Sequence, residues 1–243
     1  MTRLKLGGIA LISVVVVGAI ASGTAFAVQP EFVPANAGVT VKAKSKGAVT
    51  LKNVTNATVI SCTSDSSSGI LVGSTNPKGV EKITVTFSGC SAAKKGTSCG
   101  EAKTKGGMTL GQIKTNLLTG ELGPVAPAEA PSEVGFKLAP ESPATKFVEI
   151  EFAKNTTNGL GPCVASAVAK GSIVGEVPVA FLNIKSEMGE LVFEENASGT
   201  QKIKKFAGGP AELELFGNKT SALVTTEEVK FGEELEVTGP RVW

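Results

Sequence analysis

In the stretch ISCTSDSSSG, residues 60–69, Cys62 stands three positions before Asp65, the only aspartate in a chain of 243 residues. A thiol near a carboxylate could serve as a nucleophile, a metal ligand or half of a disulfide. A nucleophilic cysteine needs a neighbour that favours the thiolate, such as a histidine or a cationic side chain. The chain contains no histidine, and no Lys or Arg lies close to Cys62 in sequence. A carboxylate at Asp65 would push a neighbouring thiol pKa upward, away from reactivity. Structural zinc prefers cysteines in close C-x2–4-C pairs, whereas Cys62, Cys90, Cys99 and Cys163 are 28, 9 and 64 positions apart. Cys62 therefore reads as half of a disulfide. The following Asp65-Ser66-Ser67-Ser68-Gly69 reads as a turn whose side-chain oxygens bond to backbone N–H groups.

Four cysteines in an exported chain suggest two bridges, for which three connectivities exist. Cys90 and Cys99 flank the polar loop SAAKKGTS, behind a strong strand pattern, so joining them asks for little distortion. That pairing is favoured, and it leaves Cys62 with Cys163. The second bridge would close a long loop across the middle of the chain and tie its two halves into one unit.

Among the other acids, Glu149 and Glu151 fall on one side of the run KFVEIEFA. Paired carboxylates suggest glycoside hydrolysis, but the two acids of a glycosidase flank the scissile bond from different elements. A solvent-facing role fits the alternation with Val148, Ile150 and Phe152 better. Glu194-Glu195, Glu227-Glu228 and Glu233-Glu234 are likewise expected on the outside. With a single aspartate, a calcium loop has little material. No catalytic residue, metal or cofactor is assigned.

The general composition narrows the function further. Lacking histidine, the chain lacks the commonest general base and metal ligand. Residues 1–27 resemble a secretory leader: Arg3 and Lys5, an apolar run from Leu6 to Ile20, then Ala25-Phe26-Ala27 before an expected cleavage at Val28. An uncleaved anchor is the alternative. The Ala- and Gly-heavy leader looks bacterial. Removing it takes Lys+Arg from 24 to 22, against 22 Asp+Glu, so the mature chain has no net field for nucleic acid or anionic lipid. Arg241 is then its only arginine, and aromatics make up 5% of the chain, leaving little for phosphate clamps or base stacking. No later segment approaches the length of a transmembrane helix. The terminal Trp243 matches the ending of outer-membrane barrels, but Gly239, Pro240 and Arg241 break the alternation of a final membrane strand.

The elements that would position these residues are strands. AVTLKN, TVISCT, KITVTFSGC, EVGFKLA and KFVEIEFA alternate apolar and polar residues. So do parts of ASAVAKGSIVGEVPVAF, ELVFEE, AELELFG, SALVTTEEV and ELEVTG. Period-2 patterning between Gly, Asn, Pro and Ser punctuation argues half-buried antiparallel strands. MTLGQIKTNLLTG fits helical offsets as well as alternation, with strand slightly favoured. Prolines cluster between residues 124 and 143, and a Pro-rich loop is placed at 123–133.

The runs ISCTSDSSSG, KITVTFSGC, LLTGELGPV, VGFKLAPES, FVEIEF, GSIVGEVPV and KIKKFAGGPAELEL together resemble a set of small secreted proteins from soil actinobacteria. The resemblance spans nearly the whole mature chain and implies a habitat without an activity. Relatives carry a cysteine soon after the FVEIEF-like strand, whereas Cys163 here comes later, after NTTNGLGP.

The expected protein is a single secreted all-β domain over 28–243. Its fold is a mostly antiparallel sandwich or barrel of about ten to twelve strands, stapled by disulfides. Its expected role is a non-enzymatic module, extracellular or in the cell envelope, that binds an extracellular or cell-wall ligand. The alternative is a glutamate-dependent extracellular hydrolase using Glu149 or Glu151.

Overall fold

The computed structural model describes residues 29–126, 129–130, 132–153, 165–207 and 209–239. Residues 1–28, which include the expected leader, lie outside them, as do Cys163 and Trp243. Among the described residues the chain forms nineteen strands and one 3-10 turn, Val179–Phe181. The first ten are β1 (Phe32–Val33), β2 (Thr40–Ser45), β3 (Val49–Asn53), β4 (Thr58–Cys62), β5 (Ser64–Leu71), β6 (Gly79–Ser88), β7 (Ser91–Lys94), β8 (Thr97–Thr104), β9 (Gln112–Lys114) and β10 (Leu118–Pro124). The rest are β11 (Val134–Pro140), β12 (Lys146–Phe152), β13 (Ser166–Gly171), β14 (Ile173–Glu176), β15 (Lys185–Phe193), β16 (Lys205–Phe206), β17 (Gly209–Pro210), β18 (Leu213–Leu215) and β19 (Ser221–Val237). The count exceeds the ten to twelve expected. The ambiguous MTLGQIKTNLLTG segment is strand, contributing β9 and the start of β10.

Eight strands close an antiparallel barrel in the order β2-β5-β6-β10-β11-β14-β15-β19 and back to β2. Closure removes the sheet edges that would otherwise invite pairing with another chain. The first half of β19 leaves this barrel and pairs with β3 through Ser221–Val224. From there a second run of ladders continues through β4, β7, β8, β12 and β13 to β18. One apolar core runs through both, from Phe231 and Leu235 in the barrel to Ile60, Ile150 and Phe152 in the second run. The barrel takes β2, β5, β6 and β10 from before the Pro-rich loop and its other four strands from after it.

The outer faces carry Lys–Glu pairs that bridge neighbouring strands: Lys44–Glu228 at 3.0 Å, Lys103–Glu151 at 2.8 Å and Lys170–Glu214 at 3.1 Å. Such cross-strand pairs add little stability each, but they select which face points outward. Apolar inside and charged outside is the reverse of a transmembrane barrel. No described helix is long and apolar enough to cross a membrane.

The disulfide joins Cys62 to Cys90, which overturns the expected Cys90–Cys99 and Cys62–Cys163 pairings. Register explains why. Ser64 lies opposite Ser88 in the β5–β6 hairpin, and the Thr63 N–H donates to the Ser88 carbonyl. Cys62 and Cys90 therefore arrive side by side where the chain twice crosses between barrel and second run. In the β7–β8 hairpin Ser91 pairs with Glu101, while Cys99 sits at a bulge between Gly100 and Ser98. Cys90 is therefore offset by three positions from Cys99 along the ladder. None of the described cysteines is a free thiol.

The same crossing needs Gly89, whose φ is +62° and whose added Cβ would lie 2.4 Å from Thr63 Oγ1. Non-reducing peptide mapping is expected to recover a Cys62–Cys90 pair, leaving Cys163 as the cysteine available to Cys99. Cys62→Ser/Cys90→Ser should lower stability by about 3–4 kcal/mol, from release of the 28-residue loop. Gly89→Ala should cost roughly 2 kcal/mol through left-handed strain and the Thr63 contact. Denaturant titration checks both variants, and wild-type stability in either one would refute the clamp.

Candidate functional site: a carboxyl pair inside the barrel

Asp65 does not lie in a turn. The DSSSG segment is the body of β5, paired with β2 on one side and β6 on the other. Alternation then sends Ser66 outward and Asp65 inward, where Asp65 is 7% exposed. β19 does the same with its acidic pair. Glu228 faces out to Lys44, and Glu227 faces in at 6% exposed, contrary to the expectation that both are exposed. The period-2 run Thr225, Glu227, Val229, Phe231 carried this signal in the sequence.

Between the two acids runs β2. Glu227 lies opposite Ser45 in the β19–β2 register, and the Asp65 N–H donates to Ser45 Oγ at 2.9 Å. The two carboxyl groups are both buried and line the same cavity. Two neighbouring buried carboxyls without a counter-ion disfavour the doubly ionised form. Burial, then the Glu227 charge and hydrogen bond, push the Asp65 carboxyl up to about 8, with a Ser45 backbone hydrogen bond opposing. Burial also raises Glu227, against hydrogen bonds with Asp65 and with Thr225, whose Oγ1 donates to Glu227 Oε1 at 2.8 Å. No lysine contributes to either shift. Asp65 Oδ1 is buried and has no hydrogen-bond partner.

This oxygen belongs to a residue that borders a cavity of about 100 Å³. Val85, Phe87, Leu118, Phe136, Leu191 and Phe193 are among its apolar walls, and Ser67, Ser68 and Thr115 are its other polar residues besides the acids. The space exists because the inward positions of β2 and β5 near the pair are small: Ala43, Ser67 and Gly69. A Cβ on Gly69 would come within 2.8 Å of Ile83. Three smaller cavities share walls with it in sequence. One of about 50 Å³ lies toward Phe231, and others of about 60 and 40 Å³ lead toward Ile150 and the Cys62 end.

The glutamates singled out by sequence lie elsewhere. Glu149 is on the outer face of β12, paired with Lys105 and Lys146, whose hydrogen bonds hold its carboxyl below the usual range. Glu151 pairs with Lys103. Neither borders the barrel cavity, and the fold does not bring them together with Asp65. Among the described residues no group of three or more His, Cys, Asp and Glu side chains could hold a metal ion. Comparison with models of known families, with curated proteins and with solved structures finds no match to this chain.

The native state binds the Asp65 proton more tightly than the unfolded chain, where an aspartate titrates near 3.8. The associated stability is fully present below about pH 4 and is lost as pH rises toward 8. Melting temperature should therefore fall between pH 4 and 8 and flatten above. Asp65→Asn should flatten that slope and raise the melting temperature at pH 8–9 by several degrees, at roughly 2–4 °C per kcal/mol for a chain of this size. An unchanged slope in the variant would show that the pair does not hold the proton.

Proposed function

We propose that this protein is an exported, non-enzymatic binding module that encloses a small, largely apolar molecule in its barrel. The observation that carries this reading is the 100 Å³ apolar cavity with a single buried polar focus at Asp65 and Glu227. An eight-stranded barrel has room for filling side chains or for one small ligand, and small inward residues on β2 and β5 leave the second possibility open. A few convergent polar groups in an apolar concavity are the usual make-up of a ligand pocket. The secretory leader and the resemblance to secreted actinobacterial proteins support an extracellular setting. A disulfide is weakly consistent with it.

The hydrolase reading survives in a different place. Two carboxyls lining one cavity, both pushed upward by burial, are groups that acid–base catalysis could use. That observation moves the candidates from Glu149 and Glu151 to Asp65 and Glu227. Against it, the walls offer only Ser67, Ser68 and Thr115 as further polar side chains. Little is therefore available to orient a water or stabilise developing negative charge.

Toluene, which has no polar group, tests the binding reading alone. Titration followed by methyl NMR should give saturable shifts at Val85, Leu118 and Leu191. Ala43→Leu, which fills the cavity, should abolish them while leaving the melting temperature within a few degrees of wild type. Absence of saturable shifts would refute the binding module. Turnover of nitrophenyl esters or glycosides that is lost in Asp65→Asn/Glu227→Gln would favour the enzyme instead.

A further inference from the structure

We propose that the ligand of this cavity is a slender, unbranched apolar molecule with a hydrogen-donating, preferably cationic head, such as a primary alkylammonium, seated on Asp65 and Glu227. The inference rests on the binding role proposed above and assigns the chemistry of its ligand. Three observations carry it. First, the buried Asp65 and Glu227 carboxyls line one cavity that has no lysine or arginine among its lining residues. Their flanking contacts are Ser45 and Thr225, which supply no positive charge. A buried charge without a counter-ion is strongly unfavourable, and pairing it with a well-placed cation removes much of that penalty. Second, Asp65 Oδ1 is an acceptor without a partner on a cavity wall, so a ligand group that donates hydrogen bonds is matched and one that only accepts is not. A carboxylate head would place a third acid beside the two already buried there.

Third, the space continues away from the pair as a narrow series. The main cavity shares Phe87, Thr115, Phe147, Ile173 and Leu223 with the 60 Å³ cavity, which shares Leu51, Phe87, Val148 and Leu223 with the 40 Å³ one. In the other direction it shares Val41, Phe136, Leu191 and Val229 with the 50 Å³ cavity. Volumes this small in a row suit a methylene chain and exclude fused rings. The 50 Å³ cavity also includes Ile184 and Met188, 54% and 37% exposed, so this end of the barrel reaches the surface. It lies beside β15, whose ladder to β14 is a single residue pair, Glu176 with Val192. A seam that short opens more easily than the other ladders of the barrel, and it provides the route by which a chain-like ligand enters.

The test compares octylamine, 1-octanol and octanoate binding to the full mature protein at pH 7 by calorimetry, with toluene as the headless reference. Octylamine is expected to bind about tenfold or more tighter than octanol, and octanoate about tenfold or more weaker, as charge-assisted pairing and like-charge repulsion require. Asp65→Asn/Glu227→Gln, neutral and close in shape, should bring the three affinities together. Should that variant fail to fold, the wild-type series decides alone. Equal affinities for the three heads, or tighter binding of octanoate, with toluene still bound, would overturn the head-group assignment and leave the binding role standing. Failure of every probe, toluene included, would overturn both. Octylamine binding that Ala43→Leu leaves intact would place the site outside the barrel and also refute the proposal.

Discussion

The fold depends on one strand. β19 runs for seventeen residues and pairs with β1, β2, β3 and β15. Its C-terminal part completes the barrel and its N-terminal part begins the second run of ladders. Because side chains alternate from Thr225 to Phe231, one register over this part of β19 decides which of them face inward. Thr225, Glu227, Val229 and Phe231 all face inward together. A shift of one residue would exchange Glu227 for Glu228 and expose Phe231, so the apolar partners of Phe231 at one end hold the carboxyl inside at the other. The T-shaped contact of Phe231 with Phe32, at 6.0 Å between ring centroids, is part of that hold.

Placing an acid there has a cost that the surroundings only partly offset. Glu227 has the Thr225 hydroxyl and Asp65 has the Ser45 contacts, yet one Asp65 oxygen stays unpaired. An apolar pair of similar volume would remove the desolvation penalty altogether. Local rules fail most often where function or strain is located. The rest of the core is aliphatic or aromatic, and its buried polar residues otherwise have evident partners: Asn53, for example, donates to the Leu215 carbonyl and to Ser221 Oγ. Gln201 Oε1 and Glu141 Oε2 also lack partners, but the Gln201 side chain donates to the Val174 carbonyl and neither residue lines the main cavity. The carboxyl pair is the place where polar burial coincides with open space.

Much of the fold was legible in the chain because large apolar residues alternate in it. KITVTFSGC, EVGFKLA, KFVEIEFA and SALVTTEEV all became strands. The strands that escaped notice, β2, β5, β7 and β8, turn Ala, Ser, Gly and Cys inward, and alternation of small residues carries almost no hydropathy signal. That blindness concealed the site as well. Small inward residues on β2 and β5 create the cavity, and the same smallness made ISCTSDSSSG look like a turn. The cysteine pairing failed for a related reason. Closeness in sequence favoured Cys90 with Cys99, but partners in a sheet are set by register, which a bulge at Cys99 displaces.

The Cys62–Cys90 bridge gives this arrangement its reason. A strand of serines and a glycine has little apolar surface with which to hold its own register, and weakly patterned strands are prone to slip. β5 is anchored instead at its start, where Cys62 is bonded to Cys90 and Gly89 lets Thr63 approach closely. Three residues later comes Asp65. With Cys62, two residues before β5, fixed covalently to Cys90, two residues after β6, a slip that would move Asp65 off Ser45 must break either the disulfide or the ladder beside it. The cysteine and the aspartate of the opening motif are thus linked through position: Cys62 takes no part in chemistry, and it holds in place the strand that carries the buried acid.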